Sequence, residues 1–138
     1  MEPVHHVLIV DDNAVNRSVA QGVFRKLDWQ VETLDSGVRA LGHLATHPYD
    51  LVLLDINMPE MNGLEVCQHI RADPRLTELW VIAYTAHAML DEQARFLDGG
   101  FDGVLVKPIS FRAVQELLRG GKEARPVAGD SARAARFC

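Results

Sequence analysis

Apolar residues in this chain occur in two arrangements: short unbroken runs, and longer stretches in which they recur every third or fourth residue. The short runs predict buried β-strands, and the longer stretches predict amphipathic helices. The predicted strands cover residues 6–10, 29–34, 51–55, 80–84 and 104–106. The predicted helices begin after Asn13 and Ser36, cover residues 63–71 and 86–97, and begin again after Ser110.

A strand followed by a helix, repeated along the chain, predicts an α/β fold with a parallel sheet covered by helices on both faces. The connections between strands are expected to be right-handed. The run LVLL at residues 51–54 has no polar position, which is typical of a strand buried on both sides. The periodic pattern ends at Gly121. We therefore predict one domain over residues 1–121 and a flexible C-terminal tail or linker over residues 122–138.

Composition excludes several classes of protein. The chain has 138 residues with 48% hydrophobic and 24% charged content, which is ordinary for a globular domain. Its net charge of −5 argues against a nucleic-acid partner. No apolar stretch approaches the ~20 residues that a bilayer requires. There is no secretory signal, and the two cysteines are too few for a disulfide framework, so we expect a cytoplasmic location without membrane contact.

Polar residues stand at the ends of the predicted strands. Asp11 and Asp12 follow the first strand, and Asp55 ends the third. Thr85 and Lys107 follow the fourth and fifth strands. In a parallel sheet these ends lie at one edge, which is where α/β proteins bind their ligands. The sequence therefore predicts one pocket built from several strand ends.

The chemistry of these residue types points to a metal and a phosphoryl group. Three close carboxylates repel one another, and a divalent cation removes that conflict. Their hard oxygen atoms favour Mg²⁺, with Mn²⁺ as an alternative. Asp55 is then the candidate nucleophile. Lys107 would pair with a phosphoryl oxygen as a point charge, and Thr85 would donate its hydroxyl to another.

Four short motifs carry a family resemblance. The motifs VDDN (10–13), LLDINMPEMNG (53–63), AYTA (83–86) and VKPI (106–109) resemble those of response regulator receiver domains, in order and at matching spacing over residues 5–119. The resemblance implies a flavodoxin-like doubly wound (βα)5 fold with strand order 2-1-3-4-5.

The resemblance also implies roles for the acidic residues. Asp55 would be the phosphoacceptor, taking phosphate from a phosphohistidine. Asp12 and Asp55, with the backbone carbonyl of Asn57, would hold Mg²⁺, and Asp11 would act directly or through water. The side chains of Asn57 and His87 occupy the positions that tune dephosphorylation in the family.

Two further expectations follow from the same resemblance. Thr85 and Lys107 would contact the phosphoryl group, and the bond between Lys107 and Pro108 would be cis. In one place the sequence departs from the family. The aromatic residue that usually stands three positions before the lysine, and that moves inward with the threonine on phosphorylation, is Val104 here.

A subtype is indicated by DDNAVNRSVAQ, INMPEMNG and AYTAHAM, which resemble receivers attached to hybrid histidine kinases. Such receivers exchange phosphate with a histidine kinase or a histidine phosphotransfer domain. The exposed side of the first helix, near Val15 and Val19, would then dock a four-helix bundle, whereas amphipathic periodicity alone assigns these valines to the core. The chain could be a stand-alone regulator or an excised receiver, as a monomer or weak dimer.

The leading hypothesis is a phosphoacceptor signalling module that catalyses its own phosphorylation and dephosphorylation and is no enzyme in the ordinary sense. A second hypothesis, motivated by Val104, is a receiver-fold interaction module that does not switch. A third is a Mg²⁺-dependent phosphohydrolase with an aspartyl intermediate. That class places its nucleophile after the first strand with a second aspartate two residues on, which the adjacent pair Asp11 and Asp12 does not fit. No GxxxxGK[ST] loop supports nucleotide binding.

Overall fold

The structure is a computed structural model, which describes residues 5–86 and 89–119. Its strands are β1 (His6–Val10), β2 (Gln30–Leu34), β3 (Leu51–Asp55), β4 (Trp80–Thr85) and β5 (Gly103–Val106). Its α-helices are α1 (Ala14–Lys26), α2 (Gly37–Thr46), α3 (Gly63–Ala72), α4 (Leu90–Asp98) and α5 (Phe111–Arg119). A short 3-10 helix, Pro74–Leu76, follows α3. Within the described ranges, no helix has both the length and the apolar character needed to cross a membrane.

The strands form one parallel sheet in the order β2-β1-β3-β4-β5. This confirms the predicted α/β class and the strand order that the resemblance implies. The strands pair so that their carboxyl ends lie close to one level. The paired residues nearest that edge are Val10 and Leu54, Asp55 and Tyr84, and Thr85 and Val106.

Successive residues of a strand point to opposite faces of the sheet, so the core divides into two clusters. The first cluster covers the face under α2, α3 and α4 and includes Leu8, Val10, Ala40, Leu44, Val52, Leu54, Val66, Ile70, Val81, Ala83 and Phe96. The second cluster covers the face under α1 and α5 and includes Val7, Ile9, Ala20, Phe24, Leu51, Leu53, Ile82, Tyr84, Leu105 and Val114. Every residue of β3 is buried, as its unbroken apolar run predicts.

Helix starts follow the predicted caps. The side chain of Asn13 accepts a hydrogen bond from the Asn16 backbone N–H at the start of α1. The hydroxyls of Ser36 and Ser110 accept equivalent bonds of 3.2 and 3.1 Å at the starts of α2 and α5. These bonds satisfy backbone donors that have no partner inside the helix. They also fix where each helix leaves the carboxyl edge of the sheet.

The predicted start of the fourth helix is wrong. The sequence pattern places it at residue 86, but β4 continues through Thr85 and α4 begins only at Leu90. Asp91 and Glu92 occupy the first turn of the helix, where carboxylates interact favourably with the positive end of the helix dipole. The intervening His87 lies outside the described residues, as does the predicted tail, 122–138.

At the amino edge of the sheet, Arg71 of α3 forms hydrogen bonds and an ion pair with the segments that precede β4 and β5. Its guanidinium donates hydrogen bonds of 3.1 Å to the carbonyl of Leu79 and 2.8 Å to that of Gly100. It also forms a 2.7 Å ion pair with Asp102, which is fully buried. The same Asp102 oxygen accepts the backbone N–H of Val81 at 2.9 Å. This cluster stands apart from the strand ends that carry the polar residues of the predicted pocket.

Candidate functional site

The carboxyl edge of the sheet brings three aspartates together. Asp11 follows β1 and is fully buried, Asp55 ends β3 and is 2% exposed, and Asp12 is exposed. Each offers one carboxylate oxygen, and these oxygens all lie within 4.8 Å of one another. The group is therefore close enough for its members to share one cation.

Lys107 completes this cluster from the end of β5. Its Nζ donates a 3.0 Å hydrogen bond to Oδ1 of Asp55 and lies 3.0 Å from Oδ2 of Asp11. The lysine side chain is only 15% exposed. Its backbone N–H donates to the carbonyl of Thr85 at 2.8 Å, and the peptide bond to Pro108 is cis. These contacts direct the lysine from the edge of β5 towards β1 and β3.

Backbone contacts fix the two buried carboxylates. The N–H of Asn13 donates to Oδ1 of Asp11 at 2.8 Å, and that of Asn57 donates to Oδ1 of Asp55 at 3.3 Å. After Asp55 the chain folds back closely. A Cβ added to Gly63 would lie 2.5 Å from the carbonyl oxygen of Asp55, so this position requires glycine.

Burial governs the charge of Asp55. Its pKa is raised from 3.8 to about 6, and the main cause is desolvation, because the charged form loses its hydration. The hydrogen bond from Lys107 opposes this rise, while the nearby charge of Asp11 adds to it. For Lys107, burial alone would lower the pKa, but the hydrogen bonds and charges of Asp55 and Asp11 outweigh burial and raise it. The pocket thus holds a charged lysine against the Asp55 carboxylate, whose ionisation is unfavourable.

This arrangement suits a small divalent cation bound by oxygen ligands. The three aspartates supply hard oxygen donors, and Mg²⁺ prefers one or two carboxylates together with water and phosphate oxygens. Desolvation is the main cause of the raised pKa of Asp55, and a dication would offset the repulsion from Asp11 that adds to it. Among the described residues, no other group of three or more acidic, histidine or cysteine side chains is close enough to hold a metal ion.

The other residues singled out from the sequence lie in different surroundings. Thr85 is buried at the end of β4, and Asn57 is exposed two residues after Asp55. Val104 is partly buried and packs against the first cluster. Val15 and Val19 are 70% and 44% exposed.

The amphipathic pattern therefore misassigned the two valines of α1 to the core. The buried residues of that helix are Ala20 and Phe24, which face the second cluster. A three-to-four periodicity fits several neighbouring helix faces when valines are spread around the helix. Only packing against the sheet decides which face is buried.

Two residues of the pocket were missed by sequence reasoning. Tyr84 is fully buried, and Lys107 Nζ lies 4.9 Å from the centroid of its ring. Arg17 donates a 2.7 Å hydrogen bond from its guanidinium to the backbone carbonyl of Asp11. Tyr84 precedes Thr85 directly, so its place in a strand ending at the pocket was the available signal. The sequence offered no such signal for Arg17, since arginine is common on helix surfaces.

Fold and pocket together define a doubly wound α/β domain with an acidic cluster and a lysine at its ligand-binding edge. The model of the response regulator receiver domain family matches residues 7–119. The chain belongs to this family.

Similar proteins include sensor histidine kinases. The kinase GacS of Pseudomonas protegens is 37% identical over 81% of this chain and 12% of its own length. The kinase RcsC of Escherichia coli K12 is 38% identical over the same shares. The chain thus spans about an eighth of the length of these relatives.

Solved structures agree with this assignment. The receiver domain of sensor histidine kinase PA1611 from Pseudomonas aeruginosa, with magnesium coordinated in its active-site cleft, superposes with a TM-score of 0.78 at 27% identity. The alignment covers 88% of this chain and 99% of that one. The chemotaxis response regulator CheY4 of Vibrio cholerae gives a TM-score of 0.79 at 25% identity, covering 85% and 98%.

Proposed function

We propose that this chain accepts a phosphoryl group on Asp55 as the receiver of a two-component phosphorelay. The observation that carries the proposal is the position of Asp55 at the end of a buried strand, with Lys107 Nζ 3.0 Å from its carboxylate and Asp11 beside it. A carboxylate oxygen of Asp55 attacks the phosphorus of a phosphohistidine. The P–N bond breaks, and the histidine leaves with the electron pair and takes up a proton.

The surrounding side chains stabilise charge during this transfer. Lys107 moves its ammonium contact from the carboxylate to a phosphoryl oxygen, and the Thr85 hydroxyl donates to another. Mg²⁺, or Mn²⁺ in its place, would bind to Asp11, Asp12, Asp55 and the carbonyl of Asn57, where it would neutralise phosphoryl charge. Water later attacks the phosphorus, which releases phosphate and restores the carboxylate. The domain turns over no separate substrate and is not an enzyme in the ordinary sense.

The first test is the intact mass after incubation with acetyl phosphate, with and without Mg²⁺. Wild type is expected to gain one phosphoryl group only with Mg²⁺, and Asp55→Asn is expected to gain none, because an amide oxygen is a poor nucleophile. Asp35→Asn removes an exposed carboxylate at the end of β2 and serves as the matched control. An adduct on Asp55→Asn, or none on wild type at any Mg²⁺ concentration, would contradict the proposal.

A histidine phosphotransfer domain or histidine kinase is the proposed partner. The chain's similarity to parts of sensor kinases supports a receiver of a hybrid histidine kinase. Val15 and Val19 are exposed on the first turns of α1, the helix that follows Asp11 and Asp12. An exposed apolar pair beside the pocket suits a partner whose histidine must reach Asp55. We place this exchange in the cytoplasm, with the receiver as a monomer or weak dimer.

If Val15 and Val19 contact the partner, a charge at this position should slow transfer from the partner and leave phosphorylation by a small molecule unchanged. Val15→Glu is expected to slow transfer from a phosphorylated histidine phosphotransfer protein by about tenfold or more, because a charge enters a desolvated contact. Its reaction with acetyl phosphate should not change. Val38→Glu alters an equally apolar, 54% exposed site on α2, which packs on the other face of the sheet, and should affect neither reaction. Equal slowing of both reactions by Val15→Glu would rule out a docking role.

The second candidate function is an interaction module that keeps the fold without switching. Val104 favours it, because a small side chain packed against the first cluster cannot move inward as the family's aromatic residue does. Amide spectra before and after phosphorylation separate the two functions. Changes that extend from the pocket to α4 and β5 support a switch, and changes confined to the strand ends support the interaction module.

A further inference from the structure

Tyr84 lies beneath the pocket without being one of its polar groups. It is the next-to-last residue of β4, is fully buried, and belongs to the second cluster under α1 and α5. Val104, at the position of the family's movable aromatic residue, packs instead against the first cluster on the other face of the sheet. Tyr84 therefore cannot substitute for that aromatic residue, and its place requires a separate explanation.

The ring of Tyr84 contacts the ammonium of Lys107. The distance from Nζ to the ring centroid is 4.9 Å, within the range of a cation–π interaction. The same Nζ lies 3.0 Å from oxygens of Asp55 and Asp11. Two carboxylates and one aromatic face thus surround a single ammonium group.

A lysine needs such support because its four-carbon side chain is flexible. The carboxylates alone cannot hold it throughout the proposed reaction, since one oxygen of Asp55 becomes bonded to phosphorus and Asp11 is a proposed metal ligand. The ring is the contact that takes no part in bonding to phosphorus or to a metal. It would keep the ammonium within reach of the phosphoryl oxygens while the charge on Asp55 changes.

The hydroxyl of Tyr84 does not explain this position. It is buried, and its hydrogen-bonding neighbour is the backbone of Ile109, which is not a group of the pocket. The aromatic ring is therefore the part of the side chain that faces Lys107.

We propose that Tyr84 is a positioning residue for phosphoryl transfer, whose buried ring holds the Lys107 ammonium between Asp11 and Asp55. This inference rests on the proposed phosphoacceptor function. Tyr84 does not touch the reacting atoms and acts only through Lys107.

The position of the lysine is measured by the proton chemical shift of its ε-methylene group in protein with ¹³C-labelled lysine. A ring face next to this group shifts its protons upfield. We expect that shift in wild type and in Tyr84→Phe, and its loss in Tyr84→Leu. An ε-methylene shift in wild type equal to that of lysine in a short unstructured peptide would overturn the proposal.

The rate of phosphorylation by phosphoramidate, with Mg²⁺, gives the functional readout. Tyr84→Leu is expected to lower the rate constant about 2- to 30-fold, the range that corresponds to a cation–π contact. Tyr84→Phe keeps the ring and should retain the wild-type rate. Loss of the rate in both variants would assign the role to the hydroxyl and overturn the proposal.

A core defect is separated from a positioning defect by Phe24→Leu. Phe24 is another fully buried aromatic residue of the second cluster, and it is not among the residues that contact Lys107. We expect Phe24→Leu to lower stability without changing the rate constant of the folded protein. An equal fall in the rate constant for Phe24→Leu and Tyr84→Leu would show that Tyr84 acts only through core packing, and this would overturn the proposal. Failure of wild type itself to gain phosphate would reject the phosphoacceptor function and leave the ε-methylene result unaffected.

Discussion

Asp102→Ala is expected to lower the free energy of unfolding by about 3–5 kcal/mol, the usual cost of removing one partner of a buried ion pair. Asp102 is fully buried, and its Oδ2 accepts hydrogen bonds from Arg71 at 2.7 Å and from the Val81 N–H at 2.9 Å. The alanine variant leaves a mostly buried guanidinium without its counter-charge and a backbone donor without its acceptor. Urea denaturation at neutral pH measures the change.

Two further variants make this result specific. Asp102→Asn retains an oxygen for the Val81 N–H and loses the charge, so its loss of stability should be smaller. Glu116→Ala removes an exposed i,i+4 pair with Arg112, which contributes little because solvent screens it. If Asp102→Ala matched Glu116→Ala, the cluster at the amino edge would have no structural role. Phosphorylation of the folded Asp102→Asn variant should remain normal, because the cluster lies away from the pocket.

Asp55→Asn is expected to stabilise the protein at neutral pH when no divalent cation is present. The pKa of Asp55 is about 6 in the folded protein and 3.8 in an unperturbed side chain, so the native state binds this proton more tightly than the unfolded state. The stability that this group contributes is complete below pH 4 and is lost as the pH rises through about 6. The asparagine variant behaves as a permanently neutral side chain and avoids that loss.

The expected gain for Asp55→Asn is therefore close to zero below pH 4 and reaches about 1–3 kcal/mol above pH 6. Unfolding free energies from urea titrations between pH 3 and about 8 test this. Asp35→Asn is the matched control and should show no comparable gain. Excess Mg²⁺ should reduce the difference in unfolding free energy between the variant and wild type, because it stabilises wild type more. A stability difference independent of pH would contradict the burial argument, and one that widens with Mg²⁺ would contradict the metal site.

The two expected results concern opposite edges of one sheet, and they illustrate different uses of buried charge. Asp102 is paired with Arg71, which remains in place, so this contact supports the fold. Asp55 keeps an unfavourable charge that Lys107 only partly offsets, and this leaves its carboxylate available for the proposed reaction. This contrast follows from their contacts and could not be drawn from two aspartates in a sequence.

Much of the fold and of the pocket was predictable from local pattern. Unbroken apolar runs, capping residues and alternating elements determine a parallel α/β sheet, since each rests on interactions within a few residues. The pocket was predictable because parallel strands place their carboxyl ends at one edge. Asp11, Asp55, Thr85 and Lys107 could be assigned to one site without knowledge of any distance.

Contacts between distant parts of the chain were decided only by the tertiary structure. The burial of Ala20 and Phe24 in place of Val15 and Val19 depends on how α1 lies on the sheet. The start of α4 at Leu90 depends on how far β4 extends. By itself the sequence determined the order of the elements and the chemistry at the strand ends. Three-dimensional packing decided which helix face is buried, how Arg71 meets Asp102 and how the ring of Tyr84 comes to face Lys107, because these depend on the relative placement of separate elements.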